Sequence, residues 1–312
     1  MITIKKRERM KKYIIGISSI IALLVIILGL SFVPWKSMGK NQKPIRVVTG
    51  LNFYGEVAQK VAGDHGQVIS FIDNASVDPH DYQPNTKQAQ QVAKANVVIE
   101  NGLGYDSWVN KLVKSSSNRN KIKVIDVASL TGKKDGDNEH IWYAPETVEK
   151  LANDLATQYG KIDPQHAKNY QRNARKYLAS LQPLNEEIAK VKRQVNPNNN
   201  HVAVSEPVFD YALENAGYQI MDKHFEKAVE DGNDPSPKDI EEIQQAIINH
   251  QIAFFVDNSQ TSDKVVDNLV KLAHEHDVPV LKVTETKPNG DDYMQWMLKQ
   301  YQVLSRIQQK EN

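Results

Sequence analysis

Two histidines sit in matching contexts, Asp78-Pro79-His80-Asp81-Tyr82-Gln83-Pro84 and Glu139-His140-Ile141-Trp142-Tyr143-Ala144-Pro145. Both are flanked by proline and aromatic residues, in loops between apolar strand and helix patterns. Two imidazoles held in this way can meet one ligand, and a metal ion is the natural candidate. Carboxylates supply the remaining donors. In HVAVSEP, Glu206 stands where an apolar strand ends and a helix begins; VPVLKVTETKP places Glu285 in the same way, and Asp257 ends a third strand in FFVDNSQ. Two imidazoles with two carboxylates form a hard-to-borderline donor set suited to zinc or manganese.

Each of these residues also has a plainer reading. A carboxylate at a strand end can cap the following helix, and Asp257 reads as a hydrogen-bond partner lining the cleft with Asn258 and Gln260. The other histidines, His65, His166, His201, His224, His250, His274 and His276, lack such contexts and read as surface or hydrogen-bonded residues. Trp108, Trp142 and Tyr143 either keep the site dry or are ordinary core.

The elements that must position these side chains alternate. Ile45 to Thr49, Val68 to Ile72, Val97 to Glu100 and Val124 to Val127 are buried-strand patterns separated by helical stretches, the first of them Phe53 to Val61. Such alternation predicts an α/β fold with a parallel sheet covered on both faces. From Asp163-Pro164 to about Val195 the chain reads as one long, solvated connecting helix, kinked near Pro183 and stopped at Asn196-Pro197-Asn198-Asn199-Asn200. A second alternation follows: strands His201 to Ser205, Ala253 to Val256 and Pro279 to Thr284, and helices Val208 to Ala216, Pro237 to His250, Ser262 to His276 and one from Asp291. The expected architecture is two doubly wound parallel-sheet lobes, 45–162 and 200–312, joined by the connector 163–199. Ligands of open α/β sheets gather beyond the carboxyl ends of strands, where the histidine loops and strand-end carboxylates lie.

Composition sets the compartment. The chain has 312 residues, 40% apolar, with formal charge +1, which gives no electrostatic basis for binding nucleic acid. Lys5, Lys6, Arg7, Arg9, Lys11 and Lys12 precede an apolar run from Tyr13 to Val33. That run matches the roughly 20 residues needed to cross a bilayer and exceeds the core of an ordinary cleaved signal. Residues 1–35 therefore read as a basic flank with a transmembrane anchor, favoured as uncleaved, or a signal cut near Ser37-Met38-Gly39, followed by a tether over 36–44. The basic flank stays in the cytoplasm, so the rest is expected on the extracytoplasmic face of the cell membrane. There is no cysteine, hence no disulfide, no thiolate ligand and no lipid-bearing cysteine.

DPHDYQP, NGLGYDSW, EHIWYAPETV, SEPVFDYALENAGY, FVDNSQT and VTETKPNGDDYMQWM follow one another in the order found in metal-binding solute-binding proteins of ABC importers, the zinc and manganese group, which the chain resembles from about Ile45 to about Leu304. The resemblance implies two α/β lobes bridged by a rigid helix with the metal in the cleft. It also implies His80, His140 and Glu206 as ligands and Glu285 as the fourth, with Asp257 as the alternative fourth. The transported ligand is then Mn2+ or Zn2+, and the partner is an ABC permease served by a monomeric receptor that is not an enzyme. Three departures stand out. The lipid-bearing cysteine is missing; the loop before His140, TGKKDGDN, lacks the histidines of many zinc members; and Glu139 replaces the usual proline, with Ala144 in place of a common aspartate. Glu206 and the histidine-free loop favour manganese, while the Irving–Williams order favours zinc on the same groups.

The rival reading is an exported metalloenzyme with an open position on a two-histidine carboxylate centre. Glu285 in the fourth position opposes it, as does the lack of an HExxH or Ser-His-Asp pattern. A surface adhesin is a third reading, which no motif tests. For a receptor, the long connector predicts small lobe rearrangements, and neutral imidazole ligation predicts weaker binding below about pH 6.5.

Overall fold

Both stretches of alternating pattern fold as parallel sheets. The computed structural model describes residues 45–261 and 263–311. The expected flank and apolar run of 1–35 and the tether of 36–44 lie outside the described residues. Among the described residues, no helix is long and apolar enough to cross a membrane.

The first lobe carries β1 (Ile45–Leu51), α1 (Asn52–Ala62), β2 (Gly66–Ile72), α2 (Thr86–Lys94), β3 (Val97–Glu100), α3 (Ser107–Ser115), β4 (Lys123–Asp126), α4 (Val127–Thr131) and α5 (Thr147–Ile162). Its strands run parallel in the order β2-β1-β3-β4. β3 is buried at every residue and β1 at all but Arg46, as a sheet covered on both faces requires. Gly66 lets α1 close on β2, because a Cβ there would stand 2.5 Å from that of Ala62.

Two helices, not one, form the connector: α6 (Ala167–Ser180) and α7 (Gln182–Gln194). Pro183 has no N–H, and its ring crowds the carbonyl of Ala179. At the break, Leu181 N–H turns back to the Leu178 carbonyl at 3.1 Å. The expected kink is therefore a full interruption two residues before the proline.

The second lobe follows with β5 (His201–Val204), α8 (Asp210–Ala216), β6 (Gln219–Ile220), α9 (Lys223–Glu230), α10 (Pro237–Ile248), β7 (Phe254–Asn258), α11 (Lys264–Glu275), β8 (Val280–Val283) and α12 (Tyr293–Glu311). Its parallel order, β6-β5-β7-β8, repeats that of the first sheet. Neither β6 nor α9 is expected from the sequence patterns above.

The two lobes share one hydrophobic core. Phe53 of α1 packs against Trp142 and against Trp296 of α12, with ring centroids 5.2 and 5.6 Å apart, and Tyr143 meets Phe209 at 5.0 Å. α12 also reaches the first lobe through Tyr293, whose hydroxyl donates to the Trp142 carbonyl at 2.7 Å and whose N–H donates to Glu56 at 2.9 Å. Wide opening of the lobes would expose this aromatic cluster to water, a cost that opposes it.

Candidate metal centre

Every polar group of the centre comes from a segment that follows the carboxyl end of a strand. His80 lies on the loop after β2. Asp78 accepts from the His80 backbone N–H at 2.8 Å and lies 3.0 Å from its Nδ1, a turn that fixes both backbone and ring. Trp108 of α3 holds the loop by donating from Nε1 to the Pro79 carbonyl at 3.0 Å. From the other lobe, Gln260 and Thr286 donate to the Ala75 carbonyl at 2.7 and 3.0 Å.

His140 is completely buried. Asn138 Oδ1 accepts from the His140 backbone N–H and lies 2.8 Å from its Nδ1. A backbone N–H can only donate, so the Asn138 atom is the oxygen, Nδ1 carries the proton, and Nε2 presents a lone pair. That Nε2 has no hydrogen-bond partner. Glu230 Oε1 and Glu285 Oε1 face it at 3.8 and 4.0 Å, too far for hydrogen bonds. Neither contact is an ion pair, because burial holds the His140 pKa down to about 3. Donors that converge without bonding to one another leave room for a metal, and Glu230 Oε1 is likewise buried without a partner.

Around them lie further oxygens. Glu139 Oε1 is 3.3 Å from His80 Nε2, and ligand atoms of His80, Glu139 and Glu230 fall within 4.8 Å of one another. Tyr105 donates its hydroxyl to Glu285 Oε1 at 2.7 Å, and its ring meets the His80 ring at a centroid distance of 4.7 Å. Asn258 and Thr261 donate to Glu206 Oε2, the latter at 3.0 Å. Trp142 packs on His140 at 5.1 Å and on Tyr105 at 4.9 Å, closing the floor of the site.

The structure thus brings His140 and Glu285 together, links His80 to Glu285 through Tyr105, and leaves Glu206 near enough to push the Glu285 carboxyl upward. Asp257 joins none of these contacts. Its carboxylate points to Lys282 across the β7–β8 pair at 4.0 Å, while the next residue, Asn258, turns toward Glu206, as strand alternation requires. Two residues without an assigned role in the sequence reading stand at the centre. Glu230 arrives on the unexpected helix α9, whose signal is legible afterwards: Asp222 caps it, and Phe225 and Val229 form its buried i, i+4 stripe. Glu139, which replaces a proline, places its carboxylate on His80.

The proton inventory follows from this crowding. Hydrogen bonds to Asp78 and then Glu139 raise His80 to about 10. Burial, then Glu285, Glu139 and Glu206, raises Glu230 to about 9, and burial lifts Glu285 to about 7. Burial is the largest single influence on Glu139 and pushes it upward, but the hydrogen bond with His80, the His140 ring and hydrogen bonds from the backbone and Glu230 together outweigh it and leave Glu139 at about 2. At neutral pH the metal-free centre therefore holds protons on His80 and Glu230, and a ligating metal must expel them. Calorimetry in buffers of different ionisation enthalpy is expected to count about two to three protons released per metal at pH 7, one each from His80 and Glu230 and a fraction from Glu285. Affinity accordingly rises with pH from 6 to 8. Zero proton release rules out His80 and Glu230 as ligands.

Comparison with known proteins shows the fold and the family of the chain. The manganese-binding lipoprotein MntA of Halalkalibacterium halodurans is 29% identical over 180 residues, 57% of this chain and 59% of that protein. The iron-binding protein YfeA of Yersinia pestis is 23% identical over 266 residues, 80% of this chain and 82% of its own length. In fold, the chain matches the solute-binding protein FpvC of Pseudomonas aeruginosa solved with Mn2+, with a TM-score of 0.69 and 20% identity, over 86% of this chain and 99% of FpvC. A family model spans residues 47–307, almost the whole described chain, and on that match the protein belongs to the ZnuA family, described as zinc-uptake complex component A, periplasmic.

Proposed function

We propose that this protein is an extracytoplasmic receptor that captures manganese or zinc and delivers it to an ABC permease. The observation that carries the reading is the buried, unpartnered Nε2 of His140, faced by Glu230 at 3.8 Å and Glu285 at 4.0 Å. We assign His80, His140 and Glu285 as ligands, with Glu230 completing the set and Glu206 poised to enter it. The chain acts as a monomer, since both lobes of one chain, 45–162 and 200–312 across the connector 163–199, supply the donors. It binds and releases its metal without chemistry, because carboxylates occupy the positions that a water nucleophile needs in an enzyme.

Names among the relatives span manganese and iron, and the family description names zinc. Donor chemistry must therefore select. Two imidazoles among several carboxylates form an oxygen-rich set that suits manganese better than an all-imidazole site does, while zinc remains the stronger competitor for any such set. The deciding experiment is the metal content of protein purified without chelators, together with competitive manganese and zinc titrations of the stripped chain. Sub-micromolar capture of either metal supports the receptor reading, and failure to retain both refutes it.

The relative MntA is named a lipoprotein, whereas this chain has no cysteine to carry a lipid. The apolar run from Tyr13 to Val33 takes over as a membrane tether, with the metal centre outside the cytoplasm. Alkaline carbonate washing is expected to leave the full-length protein in the membrane pellet. Release into the supernatant contradicts the tether.

A further inference from the structure

The residue before His140 carries a carboxylate into the same cleft. Glu139 lines this space of about 710 Å³ together with His80 and Glu230. Its backbone is fixed from both lobes. Asn101 Nδ2 donates to the Glu139 carbonyl at 2.9 Å. Asn138 is tied to the second lobe, where its Nδ2 donates to the Pro207 carbonyl at 2.6 Å and its own carbonyl accepts from the Tyr211 hydroxyl at 2.8 Å. Glu139 and His140 thus leave one anchored turn as consecutive residues, held in place before a ligand arrives.

The Glu139 carboxylate bridges two groups of the centre. Its Oε1 lies 3.3 Å from His80 Nε2, and the carboxylate is hydrogen-bonded to Glu230 as well. The plain reading is a brace that holds the His80 ring. Asp78 already fixes that ring and its backbone from the Nδ1 side, which leaves Nε2 as the nitrogen to ligate, and Glu139 stands on it. The 3.3 Å contact is also longer than the about 2.7–2.9 Å of a charge-assisted hydrogen bond.

Donor spacing points to a shared ion. Atoms bonded to one ion at about 2.0–2.2 Å stand roughly 2.8 Å apart at a right angle and roughly 4.4 Å apart when opposed. His80 Nε2 and Glu139 Oε1 at 3.3 Å, His140 Nε2 and Glu230 Oε1 at 3.8 Å, and His140 Nε2 and Glu285 Oε1 at 4.0 Å all fall within that span. Glu230 joins the two sets, because ligand atoms of His80, Glu139 and Glu230 also lie within 4.8 Å of one another. Five side chains then offer donors, three of them carboxylates, before Glu206 is counted. Zinc closes its shell with four donors in a tetrahedron, so a fifth adds little to it; manganese accepts an octahedral, oxygen-rich shell and gains from each further carboxylate.

We propose that Glu139 is a fifth ligand, and that its carboxylate shifts the selectivity of the centre toward manganese relative to zinc. The inference rests on the receptor reading and names the ion that the receptor favours. Little movement is needed, since the ion enters between Glu139 Oε1 and His80 Nε2.

The test is titration of the chelator-stripped full chain with Mn2+ and with Zn2+, each alone and in competition. Glu139→Ala is expected to weaken manganese binding at least about tenfold and zinc binding less than about threefold. An effect passed through the His80 ring or through a loosened turn falls on both metals and cancels in their ratio, so the ratio reports the lost bond. Glu139→Gln keeps the size of the side chain and is expected to move the ratio in the same direction, which covers failure of the alanine variant to fold. A ratio unchanged from wild type in the folded variants overturns the assignment, whatever the size of the common loss. Wild type that retains neither metal defeats the receptor reading and this assignment with it, whereas wild type that binds while the ratio stays put defeats this assignment alone.

Discussion

His140→Ala is expected to lower manganese and zinc affinity at least a hundredfold, about 2.8 kcal/mol, and at pH 7 to cost more than His80→Ala. The asymmetry follows from what each ring must give up. His140 is neutral before the metal arrives, because burial holds its pKa to about 3, and Asn138 already fixes the tautomer with Nε2 free. Its full ligand strength is therefore available. His80 is protonated, held at about 10 by Asp78 and Glu139, and must lose that proton before it can ligate. Part of its bond to the metal is offset by that loss. Raising the pH toward 10 removes the offset, so the two variants should converge there. Calorimetric titration of both at pH 7 and pH 9.5 measures the gap, and equal losses at both pH values contradict the proton assignment. Circular dichroism controls for the small cavity left beside Tyr105 and Trp142.

Glu230→Gln is expected to act in opposite directions on binding and on stability. Metal affinity falls, by about 10- to 100-fold or more, since a carboxylate facing His140 is lost. The metal-free protein, however, becomes harder to unfold above neutral pH. Burial and the neighbouring Glu285, Glu139 and Glu206 raise Glu230 from an ordinary value of 4.5 to about 9. A carboxyl raised in this way gives its full stabilising contribution below about pH 4.5, and loses it as the pH climbs through the folded value. Each tenfold change in acidity corresponds to about 1.4 kcal/mol, worth roughly 2–4 °C in a chain of this size. A neutral amide escapes the penalty. Thermal melts of the stripped proteins should show Glu230→Gln ahead of wild type by several degrees at pH 8 and level with it at pH 4. A variant that melts lower at pH 8 shows that Glu230 is stabilising where it stands. On the proposed reading, an arriving divalent cation takes the place of the protons that this crowding holds in the metal-free centre.

Much of this arrangement is local and therefore legible in the sequence. Parallel strands covered on both faces need continuous apolar runs, so β1, β3, β5 and β7 announce themselves, and ligands gather where such runs end. His80, His140, Glu206 and Glu285 all stand after strand ends, and their types alone point to a transition metal. Pro183 likewise announces the interruption of the connector, though only the folded helices show that it is complete. Convergence is a different matter, because it depends on which side chains meet across long stretches of chain. Tyr105 and Glu285, 180 positions apart, become hydrogen-bond partners only when the lobes close on a common core. Glu230 enters the centre on a short helix whose apolar stripe is too brief to stand out, and Asp257 is turned toward Lys282 by strand alternation. The protonation states are further still from the sequence. Both histidines begin from the same chemistry, and burial beside the neutral Asn138 amide keeps one neutral, while a pair of carboxylates keeps the other charged.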